Sequence, residues 1–252
     1  MTSTQSEKRV TARSIADDLR GKIRSGQLLP GSVLPTTKAL AEEHGVSSKT
    51  VSAGIDLLKL EGLVVGEQGG RRRVRADRPI TWNLTRFERG ARRDSAVMDD
   101  WSTAISEAGR TPEQHVSVSR ETANSDIAGW LQVPVGDDVV KRVRMRTVDG
   151  RPFQLSTSYF PKHVAVGTLL EEPGDVAVPG GILSHIGHPQ LRVRDEISVR
   201  MPSPEESQEL ALPPGTPVAQ HVRVGYGETG PVRVMVTIAP GDRHTLVYEL
   251  EV

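Results

Sequence analysis

The sequence predicts an α+β protein of two domains, and three observations lead to this prediction. The 252 residues include 25% charged and 36% hydrophobic side chains, which is typical of a folded globular chain of one or two domains. Apolar residues recur every four positions in the first third, as in helices, whereas most of the remainder alternates as strands do. Residues 1–80 carry 14 Lys and Arg against 9 Asp and Glu, so a formal charge of +5 is balanced by −5 in the rest. A basic first domain indicates a nucleic-acid partner, although on charge alone an ordinary surface explains it equally well.

Composition excludes several classes of protein. The chain has no cysteine, so a disulfide framework, a thiolate zinc site and a cysteine nucleophile are excluded. No apolar run approaches the ~18 residues that a membrane span needs, and residues 1–10 lack the apolar stretch of a signal peptide. We therefore expect a cytoplasmic protein without a membrane partner.

Three short helices are predicted in the first third. Apolar residues at every fourth position place the first helix near residues 11–25. Thr36 is an N-cap residue type, and the helix that it opens should end at Gly45. Ser47 provides a second N-cap for a third helix, which should end at Gly62. The second and third helices, joined by a short turn, have the outline of a helix-turn-helix.

A β-hairpin is predicted directly after the third helix. Residues 63–65 form its first strand, 67–70 its turn and 71–75 its returning strand. The returning strand places four guanidinium groups within five residues, at Arg71, Arg72, Arg73 and Arg75. This density favours contact with a nucleic acid over an ordinary solvated hairpin.

The rest of the chain is predicted to form a linker and a mainly antiparallel sheet. Residues 76–97 mix Pro, Gly and charge without a period, which indicates a linker that docks through Trp82 and Phe87. Strands are predicted at 139–147, 153–160, 190–201, 218–226, 232–238 and 246–252. Helices are predicted at 97–108, 125–131 and 204–212. Runs of strands with few helices indicate an α+β domain.

Ordered motifs in both parts resemble one known family. The first part contains IRSGQLLPGSVLP, LAEEHGVS and a third helix that ends in EGL, and over about residues 12–75 it resembles the winged helix-turn-helix of GntR-family transcription regulators. The second part contains RMRTVDGRPFQLSTSYFP, LALPPGTPV and GPVRVMVTIAPGDRHTLVYELE. It resembles the chorismate-lyase-like UTRA effector-binding domain of the HutC subfamily. The resemblance implies a DNA-binding domain at 8–76, a linker at 77–94 and an effector-binding and dimerisation domain at 95–252.

For the first domain, the resemblance implies double-stranded DNA as partner. In this family the third helix enters the major groove, the wing reaches toward the minor groove, and a homodimer binds an inverted-repeat operator. Carried over by position, the contact candidates are Lys38, Ser47, Ser48, Lys49, Thr50, Ser52, Gln68, Gly69, Gly70, Arg71, Arg72 and Arg73. Ser48 and Ser52 stand where many members have Arg, so the operator can differ from the family's common one. For Ser47 a phosphate contact and a simple N-cap role both stay open.

For the second domain, the resemblance implies a small-molecule effector whose identity is unknown. Members that take phosphorylated sugars use two Arg just before a D-G-x-P motif, here Arg144 and Arg146. Spacing of two puts both on one face of a strand, where they can form an anion clamp. The alternative is that both face solvent while Val143 and Met145 point inward. At five other positions this chain lacks the residues that are usual in the members that bind sugar phosphates. These positions are Ser156, Gly181, Leu183, Arg233 and Ala239, and their departure disfavours a sugar phosphate as the effector.

An enzymatic function has little support in the sequence. Ser184, His185, His188 and Asp195 resemble a hydrolase set only in residue type, and the flanking Pro and Gly indicate a loop. The histidines show no metal-binding spacing, and no cofactor motif is present. We therefore expect a dimeric DNA-binding transcription repressor that responds to a small molecule and is not an enzyme. The alternative is a small-molecule-binding or enzymatic domain of chorismate-lyase type, whose basic N-terminal third only packs or dimerises.

Overall fold

A computed structural model describes residues 10–66, 71–75, 79–85, 100–176, 178 and 180–249. The chain divides into two compact units, one comprising Met1–Arg78 with Pro213–Thr216 and the other Pro79–Leu212 with Pro217–Val252. Among the described residues, no helix combines the length and the apolar character that a membrane span requires.

The first unit is a three-helix domain with a short β-hairpin. Its helices are α1 (Ala12–Arg24), α2 (Thr37–His44) and α3 (Ser48–Leu60), and its strands are β1 (Val64–Gly66) and β2 (Arg72–Val74). β1 and β2 pair antiparallel and form the wing. The prediction of three helices followed by a hairpin is therefore confirmed.

Local capping chemistry sets the bounds of α2 and α3. The Thr36 hydroxyl accepts a hydrogen bond from the backbone N–H of Ala39. Gly45 adopts the left-handed conformation, with φ of 63°, where the chain leaves α2. The Ser47 hydroxyl accepts from the N–H of Thr50 at 3.2 Å and opens α3. These are the N-cap and stop residues that the sequence predicted.

One hydrophobic core joins the three helices to the wing. Its fully or nearly fully buried members are Ile15, Ala16, Leu19, Leu34, Leu40, Val51, Ile55, Leu58, Val64 and Val74. α1 and α3 pack tightly at Gly54, where a Cβ atom would lie 2.7 Å from the carbonyl oxygen of Ala12. The core therefore holds α3 by its inner face and leaves the beginning of the helix exposed.

The second unit is built on a six-stranded antiparallel sheet with strand order β4-β5-β6-β9-β8-β7, beside a parallel pair of β3 and β10. Short helices connect the strands, as expected for an α+β domain. The strands are β3 (Ile80–Asn83), β4 (Pro112–Thr122), β5 (Asp138–Val148), β6 (Arg151–Pro161), β7 (Arg192–Arg200), β8 (Val218–Tyr226), β9 (Pro231–Pro240) and β10 (His244–Val247). The helices are α4 (Asp100–Glu107), α5 (Ser125–Leu131), α6 (Lys162–Ala165), α7 (Ile182–His185) and α8 (Pro204–Glu209), with a 3₁₀ turn at Leu169–Glu171.

The two faces of this sheet differ in chemistry. The register places Arg144 opposite Ser156, Ser156 opposite Thr237, and Thr237 opposite His221, so these four share what we call the arginine face. Helices α4, α6 and α7 and the β3-β10 pair contribute the apolar clusters on this side. The other face, called here the α5 face, carries valines that pack against α5.

Two predictions about this unit were wrong. The 11-residue strand β4 was not predicted, because its few apolar residues are separated by serines and charges. Residues 80–83 were assigned to a linker but form β3, whose partner β10 lies about 160 residues further along the chain. The proposed docking residue Trp82 is buried in β3. Phe87, and the predicted strand residues 250–252, lie outside the described residues.

Candidate DNA-binding surface and effector site

The beginning of α3 presents several sequence-predicted DNA contacts together. Ser48 and Lys49 are exposed, whereas Thr50 and Ser52 are half-buried. The first N–H groups of a helix point outward along its axis and favour an anion such as a phosphate. Hydroxyls, an ammonium group and free N–H groups thus converge at one helix end, which is suited to a DNA backbone and a neighbouring base edge.

Ser47 acts as the N-cap of α3. Its Oγ accepts from the Thr50 N–H and lies 2.9 Å from Thr50 Oγ1, so the two hydroxyls are hydrogen-bonded to each other. Of the two roles that the sequence left open for Ser47, the cap is the one present in this structure. The cap also orients the Thr50 side chain at the end of the helix.

The arginines of the wing separate into different environments. Arg71 is exposed. Arg72 Nη1 donates to the hydroxyl of Thr37 at 2.7 Å, and Arg73 Nη1 donates to the carbonyl of Gly31 at 3.2 Å. Two of the three predicted contact arginines therefore also tie the wing to neighbouring segments, and Gln68, Gly69 and Gly70 lie outside the described residues.

Two further polar features surround α2. Lys38 is largely exposed, and its Nζ lies 4.0 Å from a carboxylate oxygen of Glu42. Ligand-type atoms of Asp18, Glu43 and His44 come within 4.8 Å of one another. Lys22 Nζ lies 2.9 Å from Asp18 and 2.8 Å from Glu43, so one ammonium group already pairs with both carboxylates. The arrangement is that of an ion-pair network.

Three arginines of β5 enter the arginine face, each with a different environment. Arg142 donates to the carbonyls of Leu170, Glu172 and Gly174, all at 2.8 Å, and holds this loop against the sheet. Burial is the main cause that lowers the pKa of the Arg142 guanidinium. Its position makes it a structural residue of the site.

The sequence-predicted pair lies beside Arg142 on the same face. Arg144 Nη2 is 2.8 Å from Asp175 Oδ1, with 28% of its side chain exposed. Arg146 is 8% exposed, and its guanidinium carbon lies 4.7 Å from the centre of the Trp101 ring. The alternative that both arginines face solvent is therefore wrong. The structure buries Arg146 and leaves Arg144 half-buried beside it.

A row of polar side chains crosses three strands at Arg146. The register places Gln114 of β4 and Gln154 of β6 on either side of it. Gln154 is almost completely buried, and its Oε1 finds no hydrogen-bond partner among the described residues. The same holds for Gln114 Oε1, Trp101 Nε1 and Arg144 Nε. Buried polar atoms are normally hydrogen-bonded, so these four atoms have hydrogen-bonding capacity that the described residues do not use.

Other polar side chains of this face hydrogen-bond to one another. Ser156 Oγ and Thr237 Oγ1 are 3.0 Å apart, and Arg233 donates to the Ser158 hydroxyl at 2.8 and 3.1 Å. Two positions that depart from the sugar-phosphate pattern, Ser156 and Arg233, thus bond to other residues of the sheet.

A buried ion pair joins strands β7 and β8 on the arginine face. Asp195 Oδ1 and Oδ2 each lie 2.6 Å from the Arg223 guanidinium, and Oδ1 lies 2.8 Å from His221 Nε2. Burial alone raises the pKa of Asp195, but the hydrogen bonds from Arg223 and His221 hold that pKa well below its usual range. The carboxylate is therefore ionised and fully engaged.

This geometry also rules out the hydrolase set. Asp195 is committed to Arg223 and His221, whereas Ser184 and His185 lie in helix α7. The expectation of a loop at Ser184 and His185 was wrong, since Ile182–His185 form one helical turn. The four residues do not form a nucleophile-base-acid arrangement.

A separate cavity of about 220 Å³ opens on the α5 face. Its lining combines apolar residues such as Leu155, Val236 and Ile238 with the charged residues Asp126 and Arg200. Arg144 and Arg146 do not line it, because they project from the opposite side of the sheet. The cavity and the predicted effector residues are thus different places.

Sequence reasoning missed Gln114, Gln154 and Trp101 as candidate site residues. Gln114 belongs to the strand that was not predicted, and its neighbours Val116 and Val118 alternate with serines in a pattern that indicates a strand. Gln154 adjoins the R-x-R motif only through cross-strand pairing, which residue spacing along one strand does not reveal.

Comparisons with known proteins identify the class. The family described as "Bacterial regulatory proteins, gntR family" matches residues 11–74, and the UTRA domain matches residues 107–245, more than half of the chain. The chain therefore belongs to the GntR-type transcription regulators that carry a UTRA domain.

Relatives along the whole chain support this assignment. An uncharacterized HTH-type transcriptional regulator of Streptomyces coelicolor is 32% identical over 250 residues, covering 95% of this chain and 92% of the relative. The HTH-type transcriptional repressor NagR of Bacillus subtilis is 23% identical, covering 94% and 93%. The crystal structure of a protein assigned to the GntR family matches with a TM-score of 0.64 at 25% identity, covering 97% of this chain and 99% of that one. These relatives are transcriptional regulators and not enzymes, so the chain is a DNA-binding transcription regulator, as the sequence predicted.

Proposed function

We propose that the protein is a HutC-type repressor that acts in the cytoplasm as a homodimer on an inverted-repeat operator. Residues 8–76 bind DNA, 77–94 form the linker, and 95–252 bind a small-molecule effector and hold the dimer. The similarity to the repressor NagR along nearly the full length of both chains supports the repressor role. The observation that carries the effector response is the set of buried, unsatisfied polar atoms on the arginine face.

DNA recognition is assigned to the exposed beginning of α3. Lys49 is the candidate for a guanine edge, and the hydroxyls of Ser48, Thr50 and Ser52 are candidates for phosphate or base contacts. Ser47 contributes by capping the helix that carries them. Lys38 on α2 supplies a further cation at the surface.

The wing is assigned to the DNA backbone and the minor groove. Arg71 and Arg73 are both exposed, and Arg73 also donates to the Gly31 carbonyl, so we expect Arg71 to contribute most of the wing's phosphate contact. Arg72 and Arg73 keep part of their hydrogen-bonding capacity for Thr37 and Gly31. Gln68, Gly69 and Gly70 remain candidates from the family resemblance.

The effector is assigned to the arginine face, beside Arg144 and Arg146. Trp101 Nε1 and Arg144 Nε need acceptors, whereas the Oε1 atoms of Gln114 and Gln154 need donors. A fitting ligand therefore carries an acidic group together with hydroxyl or N–H groups. Asp175 already balances part of the positive charge of Arg144, which makes this site less cationic than two free arginines would be.

The test combines DNA binding with a ligand screen on the full chain. Fluorescence anisotropy should show tighter binding to DNA from upstream of the protein's own gene than to random DNA of the same length. Thermal shift against a panel of polar acidic metabolites then identifies a ligand, since one present at about 100 times its Kd adds about 2.7 kcal/mol to stability. That ligand should weaken operator binding.

Variants locate the ligand on one face of the sheet. Gln154→Leu should abolish the ligand's thermal shift because it removes a buried acceptor without leaving a cavity. Thr157→Val on β6 is the matched control, since its side chain lines the cavity on the opposite α5 face. If wild type and Gln154→Leu show the same ligand-induced thermal shift, or if only Thr157→Val loses it, the effector does not bind on the arginine face.

A further inference from the structure

Strand β7 is the edge of the six-stranded sheet and exposes apolar side chains. Within the described part of the chain, β8 is the strand that pairs with it, and its outer edge has no strand partner. Val199 is 74% exposed, Ile197 46%, and Leu191 immediately before the strand 64%. A long edge strand with exposed apolar residues is a template for pairing with another strand.

Odd-numbered residues of β7 lie on the arginine face of the sheet, and even-numbered residues lie on the α5 face. Its register with β8 places Ile197 opposite His221 and Val199 opposite Ala219, so these apolar residues extend the arginine face. Arg194 and Glu196 lie on the α5 face, where they form an ion pair with each other and remain about half exposed. The free edge is thus apolar on one face and charged with both signs on the other.

We propose that β7 is the dimerisation strand, and that it pairs antiparallel with β7 of a second copy about a two-fold axis at Asp195. This inference rests on the proposed homodimer and names its surface. In that register Arg194 faces Glu196 of the second copy, and the symmetry repeats the pair. On the arginine face, Ile197 meets Val193 and Val199 meets Leu191. Besides the axial pair, the register then contains the Arg194–Glu196 ion pair, two apolar pairs and the polar pair of Arg192 with Ser198.

Neighbouring antiparallel registers set like charges against each other or an apolar side chain against a charged one. A slip by one residue would bring side chains of opposite faces together, because side-chain direction alternates along a strand. An axis at Glu196 would set that carboxylate against its own copy and place Ile197 opposite Asp195. An axis at Ile197 would set Arg194 against Arg200. The axis at Asp195 is therefore the register that the charges favour.

Repulsion between the two Asp195 carboxylates at the two-fold axis does not exclude this register. Two Asp195 carboxylates would approach the axis, but each is held by two hydrogen bonds to its own Arg223 and one to its own His221. Both carboxylates are neutralised within their own sheet before pairing. The two six-stranded sheets would continue into each other, with their arginine faces on the same side.

Charge reversal on the full chain tests the register. Sedimentation velocity over a dilution series measures the dimer Kd of wild type, R194E, E196R and the double variant R194E/E196R. Each single variant sets like charges against each other twice, so its dimer Kd should rise by about tenfold or more. The double variant should restore the wild-type value. An equimolar mixture of R194E and E196R should also dimerise as wild type does, because each chain supplies the charges that the other needs.

Arg120→Glu is the matched control, since Arg120 is an exposed, ion-paired arginine on the opposite edge strand β4. It should leave the dimer Kd unchanged. A dimer that is insensitive to R194E and E196R, or a mixture that stays as weak as the single variants, overturns the β7 register while the proposed homodimer stands. A wild-type chain that remains monomeric at 100-fold above the operator Kd overturns both. Anisotropy with a half-site duplex, which needs one winged domain, reports DNA binding separately in every variant.

Discussion

Two glycines in the helices of the first unit should respond in opposite directions to the same substitution. Gly54 lies in the middle of α3, and Gly21 lies in α1. A Cβ atom at Gly54 would meet the Ala12 carbonyl oxygen at 2.7 Å and the Ile15 Cβ at 3.1 Å. A Cβ atom at Gly21 would meet nothing within 4 Å. The pair therefore separates the packing of α1 against α3 from helix propensity.

The expected magnitudes follow from these distances. Alanine in place of glycine in a helix interior stabilises by roughly 0.5–1 kcal/mol, because the unfolded chain loses less freedom. At Gly21 nothing opposes this gain. At Gly54 the contact with Ala12 is to backbone, so α1 and α3 must separate, and such overpacking costs about 1–3 kcal/mol. We expect Gly54→Ala to be destabilising by about 1 kcal/mol net and Gly54→Val by more.

Thermal unfolding of the full chain, followed by far-UV circular dichroism, measures the effect. A change of 1 kcal/mol corresponds to a shift of about 4–8 °C for a unit of this size that unfolds on its own. Gly21→Ala should raise the transition of the first unit and Gly54→Ala should lower it. If both variants raise the transition equally, the close approach of α1 and α3 at Gly54 is refuted.

Three further predictions concern DNA contacts and pH. Arg71→Ala should weaken binding to operator and random DNA alike and reduce the slope of log K against log salt concentration by about one; an unchanged slope in an anisotropy salt series would remove Arg71 from the contacts. Lys49→Ala should cost about 1–3 kcal/mol on the operator and less on random DNA, and equal losses would make it a phosphate contact. Burial lowers the pKa of His244 to about 4, so the unfolded chain takes up a proton below about pH 6.5 that the folded chain takes up only near pH 4. Stability should therefore fall between about pH 6.5 and 4, by up to about 3 kcal/mol; urea midpoints that keep the same pH dependence in His244→Gln would contradict this.

The first unit could be predicted closely because its signals are local. Thr36 and Ser47 cap the helices that follow them, and Gly45 ends a helix through its left-handed conformation. Each of these capping interactions involves residues within about four positions of one another, so the helix bounds can be predicted from the linear sequence. The buried positions of α1 and α3 follow from the spacing of apolar residues for the same reason.

The elements that sequence reasoning missed depend on distant partners. β3 has only four residues, and what makes it a strand is its pairing with β10 far along the chain. β4 is an edge strand with a largely exposed surface, so its composition is mostly polar. Neither element carries the long apolar pattern from which a strand is predicted.

The candidate effector site was predicted in part for a similar reason. Arg144 and Arg146 share a strand, and a spacing of two placed them on one face. Gln114 and Gln154 join them only through the register of β4, β5 and β6, which the sequence does not state. Whether the arginine side of β5 faced solvent or the interior was equally undetermined, because arginine and serine on a strand are typical of a solvent face.

The two faces of the sheet differ in a way that supports the proposed effector site on the arginine face. On the α5 face, Val222, Val224 and Val234 pack against α5 and provide the core that a sheet needs. On the other face, the same strands β8 and β9 present His221, Arg223 and Thr237, all buried. Burying an ion pair such as that of Arg223 with Asp195 adds little stability compared with an apolar pair of similar size, because both charges lose their hydration. Stability of the sheet therefore does not by itself account for this polar layer, which agrees with the proposed binding of a polar ligand beside Arg144 and Arg146.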